Sequence, residues 1–249
     1  VKIVKASYKR LTYSFETDKL RLGGRVTRLF MRPLLRVLDR EYPELFGGLR
    51  DLKYPLSGEQ SMRRDLLENI SFPSNYAIEI SILVQLRESS ELSGMDQVDL
   101  DWLHHVGQAD KELADMVEQI THRIINILRE RGVHLTPRDI DRLVSRYGRE
   151  ARRMIPYYQR VFQRVKEKAA YFFKEDLYYS EDLDRRSLDL FLRSFEETLR
   201  GDRGNQPALL LPPWSEVREK VNYHAIRQLL GIRSNQSTQS RLRETGLIS

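Results

Sequence analysis

From residue 108 to about residue 199 the apolar side chains recur at helical spacing, and this long run limits the fold more than any other feature of the 249-residue chain. Val117, Ile120, Ile124, Ile127 and Leu128 define one face, which Arg131-Gly132 ends. Thr136-Pro137-Arg138-Asp139 then opens a new helix with an N-cap hydroxyl, proline at the first helical position and an acid at the third. Ile155, Tyr158, Phe162, Val165 and Ala169 continue an apolar stripe that Pro156 is expected to kink. Leu183 to Leu199 forms another amphipathic helix. Gly201 to Pro213 reads as a linker, Ser215 to Leu230 as a last helix, and the Ser/Gln/Asn-rich stretch 234–240 as a mobile tail.

The first part of the chain follows other periods. Residues 1–8 alternate as a strand, and a polar hairpin-like stretch follows. Gly23-Gly24 leads into a helix over Val26 to Leu38, built around Pro33. A short helix is expected over Ser61 to Asn69 and a longer one over Tyr76 to Arg87, after which Met95 to Leu103 reads as a strand running toward His104 and His105. The chain therefore divides into residues 1–132, mixed α/β, and residues 133–249, an all-helical extension. Two or three strands are few for an α/β domain, so a further half is expected to precede Val1.

No apolar stretch approaches the roughly 20 residues that cross a bilayer, and the lysine-rich opening lacks a signal-peptide core. With 40% apolar and 31% charged residues, the composition is that of a soluble globular chain. The absence of cysteine excludes disulfides, thiolate metal sites and thiol nucleophiles, and it fits a cytoplasmic location. The net charge of +6 is concentrated: Arg142 to Lys168 carries nine bases against two acids, so the rest of the chain is nearly neutral. Arg142, Arg146, Arg149, Arg153, Arg160 and Arg164 share a helix face opposite the apolar stripe. That face reads first as solvated. Dimerisation through the stripe comes next, giving an expected homodimer that uses residues 137–174. An acidic partner, a lipid surface or RNA comes last, because the aromatics keep core spacing.

Three places carry candidate chemistry. Gly23-Gly24-Arg25-Val26-Thr27 puts flexible backbone, a guanidinium and a hydroxyl at a helix mouth, which suits a carboxylate or phosphate, although a plain strand-to-helix turn has the same composition. Glu79 stands among Ile78, Ile80 and Ile82, either as an exposed position between buried ones or as a carboxylate in an apolar site. Asp99, Asp101, His104 and His105 offer oxygen and nitrogen ligands that suit Mg2+ or Mn2+, and equally read as solvated side chains. The common P-loop, zincin and nucleophile-elbow motifs do not occur.

The order of the pieces adds a resemblance. Val4-Lys5-Ala6 with Tyr8, Gly-Gly-Arg-Val-Thr at 23–27, Arg-Pro-Leu-Leu at 32–35, Pro-Leu-Ser-Gly-Glu at 55–59 and Arg63 to Leu67 come first. Phe72-Pro73, Tyr76 to Ile80 and Gln97 to Leu100 leading to His105 complete the set. Over roughly residues 1–128 this resembles the acceptor half of glucosyl-3-phosphoglycerate synthases. The resemblance implies a GT-A-fold retaining glycosyltransferase that moves glucose from a nucleotide sugar, UDP-glucose above all, to 3-phosphoglycerate with a divalent metal, Mg2+ or Mn2+. It further implies Gly24, Arg25 and Thr27 at the acceptor, Gly58 beside the sugar, Glu79 as the active-site carboxylate and His105 as a metal ligand.

Two departures qualify that picture. The Asp-x-Asp motif of the resemblance is expected before Val1, and Asp99-x-Asp101 and Asp182-x-Asp184 are poor substitutes. Val106-Gly107 stands where the resemblance has a polar Arg-Asn pair, which brings unphosphorylated glycerate or another small acid in as alternative acceptors. A reading from a different class, a non-catalytic helical interaction module holding a degenerate transferase remnant, also fits residues 133–249.

Overall fold

The computed structural model describes residues 2–14, 19–169, 177–201 and 209–218. The expected tail, most of the expected last helix, and residues 202–208 of the expected linker lie outside them. Strand β1 (Ile3–Ser14) is the axis of the sheet. The strand β5 (Met95–Val106) runs parallel along one edge. The other edge is shared by β3 (Gln60–Met62), paired with Ile3 to Lys5, and β2 (Lys19–Leu22), paired with Leu11 to Ser14, both antiparallel. The short helix expected from Ser61 is thus a strand first, and helix α3 spans only Arg64–Leu67. Pairing with the end of β1 overrides the weak helical pattern there.

After β2 the chain enters a wide helical turn, Val26–Met31, with π geometry, and this passes directly into α1 (Arg32–Glu41). Pro33, at the second position of α1, has no N–H to give to the preceding turn, where the Leu29 carbonyl accepts from the Tyr147 hydroxyl at 3.1 Å. Short α2 (Pro43–Phe46), the two-residue β4 (Phe72–Pro73) and α4 (Ile78–Glu88) complete the layer beside the sheet.

Helices α5 (Asp110–Glu130), α6 (Pro137–Ala169) and α7 (Glu181–Arg200) follow. The start of α6 is the reciprocal cap expected from sequence: the Thr136 amide donates to Asp139 at 3.0 Å, and the Asp139 amide donates to the Thr136 hydroxyl at 3.2 Å. Pro156 lies inside α6 without ending it.

The extension is not purely helical. Leu177–Tyr178 (β6) adds a parallel strand to β2, and Leu210–Leu211 (β7) pairs with β4. One apolar cluster runs from Leu11 to Leu199, with α6 packed on α1 and α7 packed on α5 and α6. Within it Phe30, Tyr147 and Phe195 meet edge-on, with centroids 5.1 to 5.7 Å apart.

Four residues of the stripe on α6 belong to this cluster, and the side chain of the fifth, Ala169, lies outside the described ones. Ile155, Tyr158, Phe162 and Val165 are each less than 7% exposed, so the chain covers them itself and they offer no face to a second subunit. The opposite face is also engaged. Buried Glu150 takes Arg40 at 3.1 Å and Arg153 at 3.3 Å, and Glu41 of α1 takes Arg142 at 3.1 Å as well as Arg146. The arginine row is therefore partly a seam between α1 and α6. No helix among the described residues is long and apolar enough to cross a membrane.

Candidate active site

Register decides which side chains meet. On β1, Thr12 lies opposite Arg21 of β2 on one side and His105 of β5 on the other, so the three share one face of the sheet. Arg10, two residues back, shares it by alternation. The loop that follows is tied down at once: the Gly23 amide donates to the Arg10 carbonyl at 2.8 Å. Gly24 adopts φ +66°, and a Cβ there would meet the Tyr54 hydroxyl at 2.5 Å, so glycine is required on both counts.

Arg28, on the wide turn, anchors this loop from below. Its Nε donates to the Gly23 carbonyl at 2.8 Å, and its fork grips Asp184 of α7 at 2.8 and 2.9 Å. Tyr179 donates to the same carboxylate at 2.9 Å, and the guanidinium lies 4.8 Å from the Tyr158 ring centre. The loop and the start of the wide turn, Gly23 to Thr27, thus line a cavity of about 240 Å³. Its walls include Arg10, Thr12, Arg21, Glu79 and His105 together with Gly23 to Thr27.

Glu79 enters from the first turn of α4. It lies half-buried at the cavity wall, and desolvation raises its pKa above the usual carboxylate range, opposed by its own backbone amide and by Lys5. Gly58 stands beside it: a Cβ on Gly58 would lie 3.7 Å from Glu79 Oε1. Lys5, 1% exposed, fixes that loop by donating to the Ser57 carbonyl at 2.7 Å. Burial pulls the Lys5 ammonium down to about 8, although Glu79 and Glu59 favour its charge.

Glu79, Gly24, Arg25, Thr27 and His105, far apart in sequence, line one cavity, with Gly58 at its edge. Arg25, however, does not point a free fork into it. Its guanidinium donates to Asp110 at 2.7 Å, to the Ser187 hydroxyl at 2.9 Å and to the Gln108 carbonyl at 3.1 Å. Burial lowers its pKa, Asp110 opposes that, and the neighbouring Arg21 and Arg28 add to it.

Strand alternation separates the two histidines, so His105 lines the cavity and His104 does not. His105 Nδ1 faces the Val106 carbonyl, and Nε2 is the ring nitrogen left for another partner. Asp99 and Asp101 instead pair with Lys9, at 3.5 and 2.9 Å. Among the described residues no three acidic or histidine side chains converge on a metal position. Arg10, Thr12 and Arg21 went unnoticed in the sequence. Their only signal was the i, i+2 spacing of residues 10 and 12, which alternation places on one face.

Fold and site together define a class: a mixed α/β chain with a cationic, carboxylate-bearing cavity. No family model matches the chain. The glucosyl-3-phosphoglycerate synthase of Methanococcoides burtonii is 25% identical over 222 residues, covering 82% of this chain and 50% of that protein. The synthase of Mycolicibacterium smegmatis is 35% identical over 138 residues, covering 55% and 43%. A crystal structure of the Mycobacterium tuberculosis synthase in complex with Mn2+, UDP and phosphoglyceric acid aligns with 30% identity over 55% of this chain and 40% of its own, at a TM-score of 0.41. The chain spans about half the length of the curated relatives it matches. By sequence it is related to the glucosyl-3-phosphoglycerate synthase family.

Proposed function

We propose that this chain is the acceptor-side portion of a GT-A-fold, nucleotide-sugar-dependent glycosyltransferase that moves glucose to 3-phosphoglycerate with retention of configuration. The observation that carries the reading is the convergence of the Gly-Gly-Arg-Val-Thr loop, Glu79 and His105 on one cavity, from positions that sequence separates by up to 82 residues. A cavity of about 240 Å³ lined by arginines suits a small acid, which supports an acceptor subsite. The relatives' name supplies the reaction.

In this reading the wide-turn amides and Thr27 hold an acidic group of the acceptor, since backbone N–H groups at a helix start favour negative charge. Arg25, locked to Asp110, shapes that turn and adds positive field. Glu79 stands beside Gly58 at the place of the transferred sugar. A divalent cation, as in the crystals of the M. tuberculosis relative, would offset charge on the leaving diphosphate, with His105 Nε2 as one ligand and the others outside the described residues.

The test is a transfer assay on the full-length protein with UDP-glucose, 3-phosphoglycerate and Mg2+ or Mn2+. Transfer is expected, with at least a hundredfold loss in Glu79→Gln and in His105→Ala and little change in His104→Ala. Absence of transfer to 3-phosphoglycerate and to glycerate alike contradicts the reading and favours the interaction-module alternative.

A further inference from the structure

Three guanidinium groups line the cavity, and only one is neutralised. Arg25 has Asp110. Arg10 and Arg21 are half-buried at the same wall, and among the described residues neither has a carboxylate or hydrogen-bond partner on its side chain. An arginine cannot shed its charge, so cations held together in a partly desolvated space call for an anion from outside.

Arg21 is also aimed. It lies across Thr12 from His105, and its Nη2 would be 3.5 Å from a Cβ on Gly107, the residue two beyond His105. The same Cβ would meet Thr12 Cγ2 at 2.9 Å. Gly107 therefore leaves room that the Arg21 fork reaches. Gly24 to Thr27 line another wall of the same cavity, so one small molecule with two anionic groups can touch both.

We infer that Arg21, supported by Arg10, binds the second anionic group of the acceptor and so makes this site selective for a phosphorylated hydroxy acid over its unphosphorylated counterpart. The inference rests on the functional reading above, which places the acceptor in this cavity. The chemistry required is a tetrahedral oxyanion that accepts from a fork, for which arginine is suited and lysine is a poorer match.

The experiment is calorimetric titration of the full-length protein, wild type and Arg21→Ala, Arg21→Lys and Arg10→Ala, with 3-phosphoglycerate and with glycerate. For 3-phosphoglycerate, about a ten- to hundredfold weaker affinity is expected in Arg21→Ala, from the loss of a charge-assisted contact, and a partial loss in Arg21→Lys and Arg10→Ala. For glycerate, less than about a threefold change is expected, so the selectivity ratio collapses. Far-ultraviolet circular dichroism and melting temperature show whether each variant is folded, and Arg10→Ala tests the same subsite if Arg21→Ala is not. Equal losses for both acids, or no loss for either, overturn the inference alone. A wild-type protein that binds neither acid overturns the functional reading and the inference with it.

Discussion

Lys5 is an ammonium enclosed by protein, and its surroundings make a pH-dependent statement about stability. Its pKa falls from 10.5 to about 8 on folding. Below pH 8 both folded and unfolded chains carry the proton, and the folded state bears the full cost of burying it. Between pH 8 and 10.5 the unfolded chain binds more protons, so the Lys5 contribution to stability improves as pH rises. At about 1.4 kcal/mol per unit, the whole effect is roughly 3 kcal/mol. Urea unfolding of wild type and Lys5→Met at pH 7.5 and pH 9.5 should show the gap between them shifting toward wild type at the higher pH. A gap that does not move contradicts the assignment. Glu79 was legible because a carboxylate among isoleucines is conspicuous. Arg21 was not, because the face a strand residue takes depends on a register that local sequence does not contain. Arg25 was legible as a loop residue but not as a paired one, since Asp110 and Ser187 lie 85 and 162 residues away.

Among the elements, the wide turn Val26–Met31 does most to place the site. It is held just before its start and at its middle: the Gly23 amide bonds to β1, and Arg28 is held by Asp184 on α7. Both members of that pair are nearly inaccessible, at 6% and 3% side-chain exposure. Removing one partner leaves the other charge buried and alone, which costs about 3 to 5 kcal/mol. Asp184→Ala should therefore lower stability by that amount in urea titration, and it should weaken acid binding by loosening the Gly23 carbonyl contact. A loss below 1 kcal/mol would mean that solvent reaches Arg28. The helices themselves were readable because caps and 3.6-residue spacing are local signals. The strand Gln60–Met62 was not readable, because three residues acquire their pairing only from β1. The role of the arginine row on α6 was hidden for the same reason, since Glu41, which takes Arg142 and Arg146, and Arg40, which shares Glu150 with Arg153, belong to another helix.

On the scale of the whole molecule, the sequence suggests two parts, yet the apolar cluster crosses residue 133 without a break. Ile120, Ile124 and Ile127 of α5 and Phe191 and Phe195 of α7 belong to one core, and β6 extends the sheet from the far side of α6. A chain cut after Gly132 loses the partners of α1 and α5, and it should be molten or aggregated. The uncut chain should unfold in one transition seen identically by tryptophan fluorescence and circular dichroism. Two separated transitions would restore the division. Within the intact core, Phe162→Ala should cost about 3 to 5 kcal/mol while the chain's association state stays unchanged, because the stripe faces inward.

The cavity between β1, β2, β5 and the wide turn is the proposed seat of a phosphorylated acid. Titrating 3-phosphoglycerate into isotope-labelled protein and following backbone amide and arginine side-chain resonances tests it directly. Saturable shifts centred on Gly23 to Thr27, Arg10, Arg21 and His105 are expected, with the arginine row of α6 unmoved. Shifts confined to that row, or none at millimolar ligand, would contradict it.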